Sequence, residues 1–273
     1  VDTDHEEWTI VDCEDLGVIK VRLVRPTSIT DPVPAIVFLR GGDLFPEAAG
    51  SRDRLVQQLV LQTGATVVCP DYGSVWSARY PRTVEQIYEV CRWVLAHGAA
   101  HGIDPTRMAI AGDSAGATLA ISVALMSVQR NEFALRFLAA FCPLTDPGRD
   151  TPSHRLFADG YLLSSATAGQ WWRQYSADRP TPETWGAGAH PAHFAGLPPT
   201  LIITAEADPV RDEGEALAAL LRQADVPTTS VRYGGTVHDF VALDSLAETE
   251  SAKAALRQAT SLLALALGCS ATS

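Results

Sequence analysis

Ser114 lies in Gly112-Asp113-Ser114-Ala115-Gly116, between the apolar run Met108-Ala109-Ile110-Ala111 and a helical stretch, Ala115 to Gln129. Gly-x-Ser-x-Gly joining a strand to a helix is a nucleophile elbow. The turn is tight enough to need glycine two residues either side of the serine, and it presents the hydroxyl alone above the start of a helix. Such a hydroxyl attacks a carbonyl when a histidine takes its proton and N–H groups hold the resulting oxyanion. The chemistry open to these residues is therefore cleavage or transfer of an acyl group. Gly, Ser and Ala are common, and the pentapeptide also reads as plain turn punctuation, so the other parts decide.

The partners of an elbow serine follow it in chain order, acid and then histidine. Functional groups of an open α/β sheet sit beyond the carboxyl ends of its strands. The apolar run Leu201-Ile202-Ile203-Thr204 leads into Ala205-Glu206-Ala207-Asp208-Pro209, which puts Asp208 on a loop at a strand end. Pro209 restricts Asp208 to extended geometry. Glu206 and Asp212 compete for the role, and Asp208 also reads as the N-cap of the helix that follows. The run Val231-Arg232-Tyr233 is followed by Gly234-Gly235-Thr236-Val237-His238, so His238 is the candidate base on a Gly-rich loop. Its other reading is a surface loop histidine. His5, His97, His101, His154, His190 and His193 all precede the candidate acid and break the order. The oxyanion needs preset N–H donors, each worth about 3 kcal/mol. The residue after the nucleophile, Ala115, supplies one, and the loop Arg40-Gly41-Gly42-Asp43 after an earlier strand supplies the others, unless Gly41-Gly42 is a plain turn.

Strands alternating with helices must position these groups. Trp8 to Val11 and Val18 to Val24 read as a hairpin around Asp15-Leu16-Gly17. Ala35 to Leu39, Ala65 to Cys69 (closed by Pro70), Met108 to Ala111, Arg136 to Cys142, Thr200 to Thr204 and Thr228 to Tyr233 read as further strands. Residues 51 to 63, Val84 to His97, Ala115 to Gln129, Glu213 to Gln223 and Ser245 to Leu267 read as helices. The fold class is α/β: a mainly parallel central sheet with helices on both faces. The alternation breaks at 146–197, a stretch rich in proline and aromatics that reads as an inserted helical cap on a core of 1–145 and 198–273.

The chain has 273 residues, 19% of them charged, and a formal net charge of -11. This is globular composition, and the acidic balance argues against nucleic acid or an anionic membrane surface as partner. No apolar run reaches the ~20 residues of a membrane helix. The acidic, polar start, Val1 to Glu7, predicts no signal peptide, hence a cytoplasmic location. Cys13, Cys69, Cys91, Cys142 and Cys269 show no C-x-x-C pairing, which argues against disulfides and structural zinc and for small core residues. The His190/His193 pair reads as a loop pair, with no metal expected.

With these pieces in place the chain resembles the bacterial hormone-sensitive-lipase-like (family IV) carboxylesterases of the α/β-hydrolase fold. The resemblance runs from about Trp8 to the last helix. It rests on Gly112 to Gly116, Asp71-Tyr72, Asp208-Pro209-Val210-Arg211-Asp212-Glu213-Gly214, Leu197 to Thr200 and Val237-His238-Asp239-Phe240. It implies a triad of Ser114, Asp208 and His238, an oxyanion hole from Gly42, Asp43 and Ala115, and hydrolysis of esters of short to medium acyl chains with no metal or organic cofactor. The chain departs from the family in three places. Arg40 to Asp43 replaces a His-Gly-Gly-Gly loop, Gly73-Ser74-Val75-Trp76 is altered, and the N-terminal cap helices are missing or very short. Arg40 is the candidate partner of Asp43, whose other role would be to bind a cationic group. Arg40, Trp76, Trp171 and Trp172 are the candidate substrate contacts, with cap-to-body packing the other reading of the two adjacent tryptophans. The altered loop keeps a second reading open, a lyase, cyclase or acyltransferase acting on a secondary metabolite. A third is a non-catalytic binding protein on a hydrolase scaffold. The closing helix reads either as core or as the contact of a homodimer.

Overall fold

The hairpin opens the sheet. β1 (His5–Asp12) and β2 (Val18–Arg25) pair antiparallel across a short turn of 3-10 helix, Glu14–Leu16. The computed structural model describes residues 5–27, 31–41, 52–73, 79–148, 150–176 and 189–269. β3 (Val33–Leu39) follows, then α1 (Arg52–Thr63), β4 (Thr66–Asp71) and α2 (Arg82–His97). β5 (Ile103–Asp113) leads into α3 (Ala115–Arg130), and β6 (Leu138–Phe141) comes next. The short α4 (Pro152–Leu156), α5 (Ser165–Ser176) and a 3-10 turn, Pro191–Phe194, fill the interval before β7 (Thr200–Ala207). α6 (Arg211–Gln223), β8 (Thr228–Val237) and α7 (Glu250–Leu267) complete the order.

The eight strands form one sheet in the order β1-β2-β4-β3-β5-β6-β7-β8. β2 pairs antiparallel with β4, and every pair from β4 to β8 is parallel. This is the architecture of the α/β-hydrolase fold. β3 shows why continuous apolar runs make its central strands. Ala35, Val37 and Leu39 face one buried cluster and Ile36 and Phe38 the other, so both faces are covered. α1 and α7 pack on one face; α2, α3 and α6 pack on the other. Thr249 caps α7, accepting from the Ala252 N–H, and Gly268 ends it in the left-handed region.

Several strand ends differ from expectation: β5 spans Ile103–Asp113 where Met108 to Ala111 was expected, β7 runs past Thr204 to Ala207, β6 is shorter at Leu138–Phe141, and β4 and β8 both run on. β4 does not close at Pro70. It continues to Asp71, with Pro70 paired to Val21 and Asp71 to Lys20. β3 partners β4 only from Thr66 to Val68, so beyond Val68 β4 is paired on its β2 side alone, an edge-like position where proline is tolerated. β8 runs through Gly234 and Gly235 to Val237, with a register shift against β7 between Ala205 and Ala207. His238 therefore follows the end of a strand directly, where a Gly-rich loop was expected.

Candidate active site

The elbow is built by close approach. A Cβ on Gly112 would lie 2.4 Å from the Gly116 carbonyl oxygen, and one on Gly116 would lie 2.0 Å from the Leu39 carbonyl oxygen. No side chain fits at either position, so the chain can turn from β5 into α3 only with glycine at both. Ser114 takes the strained conformation φ 54°, ψ -122° and is held by its N–H donating to the Phe141 carbonyl at 2.8 Å. Strain of this kind costs energy and is kept where it aims a functional group.

The three sequence candidates meet at the carboxyl end of the sheet. Ser114 Oγ lies 2.8 Å from His238 Nε2, and His238 Nδ1 lies 2.7 Å from Asp208 Oδ2. All three are buried: Ser114 is 7% exposed, His238 1% and Asp208 0%. The N-cap reading of Asp208 is partly realised. Its Oδ1 accepts from the Val210 N–H at 3.0 Å in the turn before α6, which leaves Oδ2 for the histidine. Glu206 and Asp212 go elsewhere: Glu206 accepts from the Gly235 N–H, and Asp212 accepts from the Ser153 N–H and pairs with Arg211.

A second buried network was not read from the sequence. Arg52 donates through Nε and Nη2 to Asp113 Oδ2, at 3.1 and 2.9 Å, and through Nη2 to Asp239 Oδ2 at 2.9 Å. The Gly41 N–H donates to Asp113 Oδ1 at 2.9 Å. One guanidinium thus joins the residue before Ser114 to the residue after His238, and Asp113 carries the link on to Gly41. Burial and the Asp239 carboxylate push the Asp113 carboxyl up, against the pull of Arg52. A signal was present: an acidic residue directly before Ser114, at the end of a buried strand, and another directly after His238.

Burial disfavours charge on the His238 ring, yet the Asp208, Asp239 and Asp113 carboxylates outweigh it and raise its pKa from 6.5 to about 9. Cys142, read as a core residue, also reaches the site. Its Sγ and one donor atom each of Asp208 and His238 lie within 4.8 Å of one another. Burial, with Asp208 and Asp239 nearby, raises the thiol well above its ordinary range, so it stays protonated and can donate to Asp208. This is the cluster among the described residues with a donor set for a metal ion, but both ring nitrogens already face Ser114 and Asp208.

The remaining candidates fall as follows. Ala115 is the first residue of α3, where helix geometry leaves the N–H without an intrahelical acceptor. Gly42, Asp43 and Trp76 lie outside the described residues. Arg40 sends its guanidinium to Asp71 Oδ1 at 3.5 Å and the Gly73 carbonyl at 3.4 Å, and Tyr72 Oη donates to the Arg40 carbonyl. Trp171 and Trp172 are 1% and 2% exposed, with Trp171 stacked on Tyr175 at 4.7 Å. Of the other histidines, His154 is buried beside Glu213, His101 pairs with Glu7 and His190 caps a 3-10 turn.

Fold and site together define the class, an α/β-hydrolase. A family model described as the alpha/beta hydrolase fold matches residues 36–242. An ethyl acetate hydrolase of Pseudomonas putida is 32% identical over 241 residues, 86% of this chain and 75% of that one. A carboxylesterase of Mycobacterium tuberculosis is 31% identical over 242 residues, with the same coverage of 86% and 75%. The crystal structure of a thermostable esterase from Pseudomonas putida superposes with a TM-score of 0.88 at 35% identity, covering 98% of this chain and 85% of that one. The chain belongs to this family, the hormone-sensitive-lipase-like α/β-hydrolases, and it is a carboxylic ester hydrolase. Among the described residues no helix is long and apolar enough to cross a membrane.

Proposed function

We propose that the chain hydrolyses esters of short to medium acyl chains through an acyl-enzyme on Ser114. The observation that carries this reading is the unbroken contact from Ser114 Oγ through His238 to Asp208, at 2.8 and 2.7 Å. His238 Nε2 takes the hydroxyl proton as Ser114 Oγ bonds the acyl carbon. Asp208 fixes the ring through Nδ1–H, so that Nε2 presents its lone pair, and it stabilises the imidazolium that forms. The N–H groups of Ala115, Gly42 and Asp43 receive the oxyanion. The imidazolium then protonates the leaving alcohol. Water, deprotonated by the same ring, releases the acid. No step calls on a metal or an organic cofactor.

Residues 146–197 are the cap in this reading. Trp171 and Trp172, buried at its root, act by setting where the cap sits. Arg40, paired with Asp71, borders the loop on the oxyanion side. The test is hydrolysis of p-nitrophenyl esters from acetate to decanoate, with Ser114→Ala as control. Turnover highest at short chains and absent from the variant is the expected result. Turnover that survives in the variant would refute the assignment.

A further inference from the structure

Asp239 stands out because only half of its carboxylate is satisfied. Oδ2 is held by Arg52 at 2.9 Å. Oδ1 is buried, accepts no hydrogen bond among the described residues, and lies 3.5 Å from His238 Nε2. The residue is 4% exposed and takes the left-handed φ of 59°. A buried carboxylate oxygen without a donor is unfavourable, and a native structure that keeps one calls for an explanation.

The charges around the ring supply it. Asp208 faces His238 from the loop after β7, Asp113 from the end of β5 and Asp239 from beyond β8. Arg52, from α1, is the cation that joins the last two. Ser114 at the elbow is neutral, and burial keeps the Cys142 thiol beyond β6 neutral too. Three carboxylates against one guanidinium favour a positive ring. Asp208 reaches that ring on Nδ1. Asp239 reaches it on Nε2, the nitrogen that gains the proton.

We propose that Asp239 is a positioning residue for the proton transfer, its Oδ1 steadying the imidazolium from the Nε2 side while Arg52 holds the carboxylate in place. The inference rests on the reading of Ser114 and His238 as nucleophile and base. As the Ser114 Oγ–carbon bond forms, the carbonyl electron pair moves onto oxygen and the Oγ proton passes to Nε2. That proton then goes to the alcohol oxygen as its bond to carbon breaks. Asp239 neither gives nor takes a proton; it offers the Nε2–H a second acceptor between the two transfers. The same stabilisation acts on the resting ring, and it agrees with a His238 pKa near 9. The free base is then scarce at neutral pH, and activity is carried by the alkaline side.

The test is the pH dependence of kcat/KM for p-nitrophenyl butyrate from pH 6 to 10, in wild type and Asp239→Asn. The amide keeps the shape and an oxygen for Arg52 but removes the charge. Loss of one opposing charge at this range should move the acid limb down by about one pH unit. A structural role alone would lower the rate without moving the limb, so a limb unmoved in D239N overturns the proposal. If D239N does not accumulate, a 15N-histidine NMR titration of the wild type and Asp239→Ser decides, with the His238 signal identified by its loss in His238→Gln. An imidazolium that persists above about pH 8 in wild type and titrates about one unit lower in Asp239→Ser supports the proposal, and equal titration in the two overturns it. Titration near the ordinary value refutes it. Retained activity in Ser114→Ala would instead sink the reading beneath it, so the two failures are told apart.

Discussion

The chain holds two serine–histidine–carboxylate sets. In one, Ser114 Oγ, His238 and Asp208 are joined by contacts of 2.8 and 2.7 Å. In the other, Ser165 Oγ lies 3.3 Å from His154 Nδ1, and His154 Nε2 lies 3.5 Å from Glu213 Oε2. Residue types and burial of the histidine are alike. What differs is the direction in which each group's hydrogen bonds are spent. Ser165 donates its hydroxyl proton to the His154 carbonyl, and Glu213 accepts the N–H groups of Thr145 and Asp146. That set ties α4 and α5 to the N-terminus of α6, helped by Ser153, which donates to the Pro209 carbonyl next to Asp208. Ser114 instead sits on a strained elbow whose backbone bonds are made elsewhere, leaving Oγ to the ring. A triad is therefore defined by which bonds remain open, and composition alone cannot distinguish the two sets.

The largest test of this contrast is a pair of serine variants. Ser114→Ala should lower kcat by about a million-fold, the loss typical of a triad nucleophile. Ser165→Ala should stay within about twofold of wild type, because that hydroxyl accepts no substrate role in this account. Next come the acids. Asp208→Asn should cost about ten-thousand-fold in kcat by presenting the wrong tautomer of His238. Glu213→Gln should act mainly on stability, since its carboxylate accepts from the Thr145 and Asp146 N–H groups. A loss of about 1–3 kcal/mol, read by thermal or denaturant unfolding, is expected. Equal losses of kcat in the two acid variants would erase the distinction drawn between the sets.

The smallest expected effect concerns pH and stability. His238 holds its proton to about 9 in the folded protein against an ordinary 6.5. The charged ring therefore contributes fully below about pH 6.5, and the contribution is lost as pH rises through about 9. Wild type should lose more thermal stability across that interval than His238→Gln. An identical pH profile of stability in both would contradict a raised His238.

The elbow, the order of Ser114, Asp208 and His238, and the alternation of buried strands and helices were legible because each is local. A glycine pair, a strand end and a chain order can be read within a few residues. The Arg52 network was not legible in the same way. Arg52 and Asp239 are 187 residues apart, and Arg52 looks like one more polar residue on a helix read by its leucines. Cys142 read as core for the same reason. Its place beside Asp208 comes from the parallel pairing of β6 with β7, which sets Phe141 opposite Ile203 and brings the two strand ends together. β4 runs past Cys69 and β8 past Tyr233 because partner geometry, more than intrinsic preference, decides where a ladder stops.

The most direct test of the central claim is active-site labelling with a p-nitrophenyl phosphonate, read by intact mass and peptide mapping in wild type, Ser114→Ala and Ser165→Ala. One adduct per chain on Ser114, present in wild type and in Ser165→Ala and absent from Ser114→Ala, is the predicted result. An adduct on Ser165, or an adduct that survives loss of Ser114, would contradict it.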